Sequence, residues 1–77
     1  MQVIFLREVL KLIGPNQFVI IHIEGNPYVV AVETGIQSAD EICQTVYRRT
    51  NTHYCEVYRM QGLTSVKEGI EIWCRNH

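Results

Sequence analysis

Phe18-Val19-Ile20-Ile21-His22-Ile23-Glu24-Gly25-Asn26-Pro27-Tyr28-Val29-Val30-Ala31-Val32-Glu33 is the stretch that decides how this chain folds. Two runs rich in β-branched and aromatic residues flank Glu24-Gly25-Asn26-Pro27, a turn-forming cluster, and the pattern predicts a β-hairpin. A two-residue loop at Gly25 and Asn26 sets Ile23 opposite Tyr28, Ile21 opposite Val30 and Val19 opposite Val32. That register collects the most apolar set on one face. Phe18, Ile20, His22, Val29 and Ala31 fall on the other.

Working outward, Leu6, Val9, Leu10 and Ile13 recur at helical spacing before the hairpin, with Arg7, Glu8 and Lys11 on the opposite side. Gly14 and Pro15 then predict a left-handed stop. After the hairpin, Ser38-Ala39-Asp40-Glu41 carries the capping-box pattern, so a second helix starts there with Ala39, Ile42, Cys43, Val46 and Tyr47 facing inward. Arg48 and Arg49 suit the negative end of its dipole. His53 to Met60 and Ile70 to Arg75 alternate as strands, joined by the polar segment Gln61 to Gly69. The expected fold is α+β: one domain over residues 1–77, with a four-stranded antiparallel sheet built from two hairpins and two α-helices on one face.

A chain of 77 residues supports a single thin core, and 47% apolar residues against 19% charged ones exclude a disordered tail. Seven basic and eight acidic side chains leave a net charge of -1, without the basic excess that phosphate binding requires. The apolar runs, Val3 to Leu6 and Phe18 to Ile21 among them, fall far short of the ~20 residues that span a bilayer. No basic region and cleavage site follow Met1. The expectation is a cytoplasmic protein that binds no membrane and no nucleic acid directly. Cys43, Cys55 and Cys74 are an odd number of thiols in such a chain, which points to free thiols or a metal in preference to a disulfide framework.

Centring the second hairpin on its loop pairs Val57 with Ile72 and Cys55 with Cys74, whose Cβ atoms would then lie roughly 4.5 to 5.5 Å apart. His53 points the same way two residues earlier. Counting back along the helix brings Cys43 level with Cys55. Cys43, His53, Cys55 and Cys74 thereby become candidate ligands of a structural zinc, with His77 as the other choice for the fourth position. The same thiols also read as small buried hydrophobes, and both readings stay open.

Tyr54, Glu56, Tyr58 and Met60 alternate outward on one strand, as do Glu71, Trp73 and Arg75 on its neighbour. Tyrosine, tryptophan and arginine dominate interface hot spots, which makes Tyr54, Tyr58 and Trp73 candidate partner-binding residues. Catalysis is disfavoured. The chain has no glycine-rich phosphate loop, no Gly-x-Ser-x-Gly elbow and no His-Glu-x-x-His, and Glu41, Glu56 and Glu71 read as a cap and two solvated strand positions. No small-molecule substrate is expected.

Leu6-Arg7-Glu8-Val9-Leu10-Lys11-Leu12-Ile13, the hairpin ending in Gly25-Asn26-Pro27, and Cys55-Glu56-Val57-Tyr58-Arg59-Met60 followed by Gly69-Ile70-Glu71-Ile72-Trp73-Cys74 resemble small prophage-encoded proteins of Gram-positive bacteria. Some small phage proteins of this kind are anti-CRISPRs. The resemblance implies a phage-encoded, zinc-containing inhibitor that binds a host type II CRISPR nuclease and blocks DNA cleavage without catalysis. The near-neutral charge departs from the acidic anti-CRISPRs that imitate DNA, so a protein–protein contact is the expected mode. The alternative is a small metal-stabilised phage accessory protein that assembles with itself or with other phage proteins.

Overall fold

A computed structural model describes residues 2–63 and 69–77. The elements run α1 (Leu6–Leu12), β1 (Phe18–Ile23), β2 (Val29–Glu33), α2 (Ala39–Thr50), β3 (Cys55–Leu63) and β4 (Gly69–Asn76). The first hairpin has the expected register, with Val19 opposite Val32 and Ile21 opposite Val30. Gly25 takes the left-handed conformation in its turn, at φ 81°. α2 opens on the expected capping box: the Glu41 amide donates to Ser38 Oγ at 3.2 Å, and the Ser38 amide donates to Glu41 Oε1 at 3.0 Å.

The stop after α1 differs from the expected one. Ile13 leaves the helix in extended conformation, and Asn16, at φ 64°, supplies the left-handed turn in place of Gly14. Thr34 fixes this corner from the far end of β2. Its buried hydroxyl donates to the Gly14 carbonyl at 2.7 Å and accepts from the Gln17 amide at 3.0 Å. Gly35 follows at φ 93°, where an added Cβ would meet Pro15 Cβ at 3.1 Å.

The sheet is mixed, with strand order β2-β1-β4-β3, and β4 lies parallel to β1. This corrects the all-antiparallel expectation. α2 carries the chain back across the helix layer, so β3 enters at the end of the sheet where β1 finishes. Had β3 lain beside β1, the pair would have been antiparallel. Instead β4 takes the interior place, because it offers Ile72 and Cys74, both fully buried, while β3 carries Tyr58, Arg59, Met60 and Gln61, all exposed. The outer edge of β3 is covered at its start by the N-terminal segment, where the Val57 amide donates to the Ile4 carbonyl at 2.8 Å.

The second hairpin pairs Val57 with Cys74 and Cys55 with Asn76, two residues away from the register expected for it. β3 continues through Gln61 and Gly62, opposite Glu71 and Ile70, where the sequence pattern places a connection. The remainder of that connection, residues 64–68, lies outside the described residues. A β-bulge between Val57 and Arg59 inserts Tyr58 as an extra residue. Both helices pack on the face that presents Val19, Ile21, Val30, Ile72 and Cys74, and Leu6, Val9, Leu10, Ile42 and Val46 complete the core. Among the described residues, no helix covers the opposite face.

Candidate functional site

The uncovered face is organised by cross-strand rows. His22 on β1 pairs with Val29 on β2 and with Trp73 on β4, and Trp73 pairs with Arg59 on β3, so one row crosses all four strands. The His22 and Trp73 rings stack at 5.0 Å between centroids and 9° between planes. On the other flank of the indole, the Arg59 guanidinium carbon lies 4.5 Å from the ring centroid. Arg75 and Tyr58 repeat the motif one step along, with the guanidinium carbon 4.3 Å from the phenol ring centroid.

The bulge creates this arrangement. Strict alternation along β3 would send Arg59 towards the core, where an unpaired charge is expensive. Inserting Tyr58 shifts the alternation by one, so Tyr58 and Arg59 both reach the open face. Met60, read from the sequence as outward with Tyr58, consequently aligns with Ile72 on the helix side, although it lies far enough out to remain exposed.

The two carboxylates of this half of the sheet are engaged by histidines. Glu71 meets His22 Nε2 at 2.5 Å, and Glu56 lies 3.4 Å from His77 Nδ1. Among the described residues, neither Arg59 nor Arg75 has a carboxylate partner. Arg59 donates to Gln61 Oε1 at 3.0 Å, which fixes one edge of its guanidinium.

The sulfurs occupy the other side of the sheet. Cys43 on α2 and Cys55 at the start of β3 line a cavity of about 280 Å³ together with Phe5, Arg7, His53 and Tyr54. Cys74 is fully buried on the core face of β4, diagonal to Cys55 in the ladder. Burial pushes the Cys55 thiol up to about 11, and the neighbouring Cys43 adds to the effect. Cys74 is pushed up to about 12, by burial first and then by Cys55 and Cys43. Burial also raises Cys43, against the pull of the Arg7 guanidinium.

The sequence-predicted residues thus separate into two groups. Cys43, His53 and Cys55 share a cavity and Cys74 lies in the adjoining core, but the His53 ring is exposed and packs on Tyr47 at 4.1 Å between centroids. His77 packs edge-on against Phe5. Among the described residues, no three His, Cys, Asp or Glu side chains are grouped where they could hold a metal ion. Of the partner-binding set, Tyr58 and Trp73 stand together on the open face, while Tyr54 precedes β3 and lines the cavity. Arg59 and the His22–Glu71 pair were not singled out from the sequence. The signal available was the conflict between alternation and the charge of Arg59.

Among the described residues, no helix is long and apolar enough to cross a membrane. Compared with known proteins, the chain matches no family model, no curated protein and no solved structure.

Proposed function

We propose that this chain is a phage-encoded inhibitor that works by stoichiometric binding in the host cytoplasm, docking the open face of its sheet on a type II CRISPR nuclease and blocking DNA cleavage. The observation that carries the binding mode is the uncovered Val29–His22–Trp73–Arg59 row with Tyr58 and Arg75 beside it. Aromatic and arginine side chains held rigid before a partner arrives lose little entropy on binding, which is what makes such residues hot spots. The target comes from the sequence resemblance.

A catalytic reading gains no support from the sulfur cavity. A nucleophilic cysteine needs its thiolate stabilised, whereas Cys43, Cys55 and Cys74 are all shifted the other way. The test is a cleavage titration at nuclease concentrations above the dissociation constant. A binder reaches full inhibition near equivalence, while an enzyme silences excess nuclease progressively with time. Full cleavage and no complex with every type II nuclease tried would overturn the assignment.

The second reading, a metal-stabilised accessory protein, draws on the cavity shared by Cys43, His53 and Cys55. Holding zinc there requires His53 to leave Tyr47 and the thiols to ionise. Elemental analysis showing one zinc per chain, with a melting temperature that falls on chelation, would favour it.

A further inference from the structure

We infer that the chain forms a symmetric dimer in solution by pairing the free edge of β2 with β2 of a second copy, antiparallel about a twofold axis at Ala31. This goes beyond the proposed function and leaves the open face of the sheet available to a partner.

The two edges of the sheet are protected unequally. β3 carries a bulge at Tyr58, a charge at Arg59 and the N-terminal segment across its start, all devices that keep an edge from pairing. β2 carries none of them. It reads Val29-Val30-Ala31-Val32-Glu33, pairs without interruption to β1, and among the described residues has no strand on its outer side. The Thr34 amide donates to the Gln17 carbonyl at 2.9 Å, which makes Gln17 and Thr34 a hydrogen-bonded pair of the ladder. By alternation Val30 and Val32 bond to β1, while Val29, Ala31 and Glu33 turn their N–H and C=O groups outward.

A second copy is selected because this edge is complementary to itself. Antiparallel pairing through Ala31 sets Val29 opposite Glu33 of the second copy and Ala31 opposite its own twin, so the outward groups of all three residues find partners. Glu33, the charged residue of the strand, then meets an apolar side chain, where an in-register parallel pair would set it against a second carboxylate. The exposed apolar side chains that bracket the strand also match, because the end carrying Tyr28 meets the end carrying Ile36 of the second copy.

Charge on α2 points to the same arrangement. α2 packs over β2, and α1 packs over β3. Asp40 faces α1, where it pairs with Arg7 at 2.9 Å. Glu41, Thr45 and Arg48 form a separate stripe at helical spacing on the flank away from α1, linked by the Thr45 hydroxyl, which donates to the Glu41 carbonyl and accepts from Arg48. The twofold runs the two copies of α2 antiparallel, so Glu41 of each is directed towards Arg48 of the other across the small Thr45 side chains. Among the described residues, neither Glu41 nor Arg48 has an ion-pair partner within its own chain.

The test measures the mass of the full chain by light scattering from micromolar to millimolar concentration, with amide hydrogen exchange followed in parallel. The expected result is a mass that doubles and stops at two, since the second edge is guarded, while exchange at the Val29, Ala31 and Glu33 amides slows at least tenfold. Ala31→Lys sets like charges directly opposite each other at the twofold and should weaken dimerisation at least tenfold, with an unchanged melting temperature because Ala31 is exposed. Arg48→Glu turns the α2 contact repulsive and should weaken the dimer severalfold, more at low salt than at high salt. A chain that stays monomeric at millimolar concentration, as it will if the edge serves another protein's strand, overturns the dimer. So does growth beyond two, a dimer whose β2 amides exchange as fast as in the monomer, or either folded variant dimerising as tightly as wild type.

Discussion

The two faces of strand β4 divide the molecule's tasks between them. Ile72 and Cys74 point to the helix side and are fully buried, whereas Trp73 and Arg75 point to the open side and, among the described residues, meet side chains of neighbouring strands. The helix side is apolar and sealed, so its residues act on stability. The open side is an ordered layer of aromatic and charged groups that stabilise the sheet modestly and leave their polar edges to solvent. Side chains one residue apart in sequence should therefore respond to mutation in opposite ways.

The largest difference is expected between neighbours on that strand. Ile72→Ala removes a fully buried side chain and should destabilise by about 2 to 5 kcal/mol, a large share of what a domain this small possesses. Trp73→Ala loses a partly buried ring, its stack on His22 and its contact with Arg59, and should cost less than about 2 kcal/mol. Thermal unfolding of the pair checks this. A Trp73 variant that unfolds while the Ile72 variant stays folded would exchange the two faces.

A smaller effect sharpens the same contrast through pH. An unfolded cysteine ionises near its ordinary value of 9.0, while Cys55 and Cys74 in the fold stay protonated to about 11 and about 12. Above pH 9 the unfolded state loses these protons first, so stability falls as pH rises through the window from about 9 to about 12, and is unaffected by them below it. By pH 10 each thiol should account for a loss of about 1 kcal/mol. Comparing the chain with Cys74→Ala between pH 8 and pH 10.5 isolates the contribution. Identical slopes would mean that the Cys74 thiol is not sealed in the core.

An effect of comparable size belongs to the corner that Thr34 pins. Gly35→Ala places a side chain at φ 93° and against Pro15, and should lower stability by about 1 to 2 kcal/mol with no change in the open-face contacts. A neutral result in thermal unfolding would show that the Thr34 corner relaxes freely.

How much of this was legible in the sequence follows from where local pattern and tertiary placement agree. The first hairpin could be read because Gly25-Asn26 and the alternation from Phe18 to Glu33 specify one register, and α2 could be read because its cap lies wholly within Ser38 to Glu41. Strand order was not readable, since no local pattern says which strand of the second hairpin will lie beside β1. The bulge at Tyr58 was not readable by alternation either, because an inserted residue is a product of pairing. The bulge sets the placement of Arg59 and Met60, while the two-residue difference at Val57 and Cys55 comes from where the hairpin is centred. The thiols were correctly gathered to the helix side by a register two residues off, since a shift of two preserves the face.

The most direct test of the central claim is inhibition of nuclease cleavage by wild-type chain, Tyr58→Ala and Trp73→Ala, each with its melting temperature measured alongside. The account predicts that wild type inhibits near equivalence and that each variant stays folded while its affinity for the nuclease falls by at least about 2 kcal/mol, roughly thirtyfold. Inhibition by both folded variants as strong as that of wild type would contradict it, and would move the binding surface off the open face.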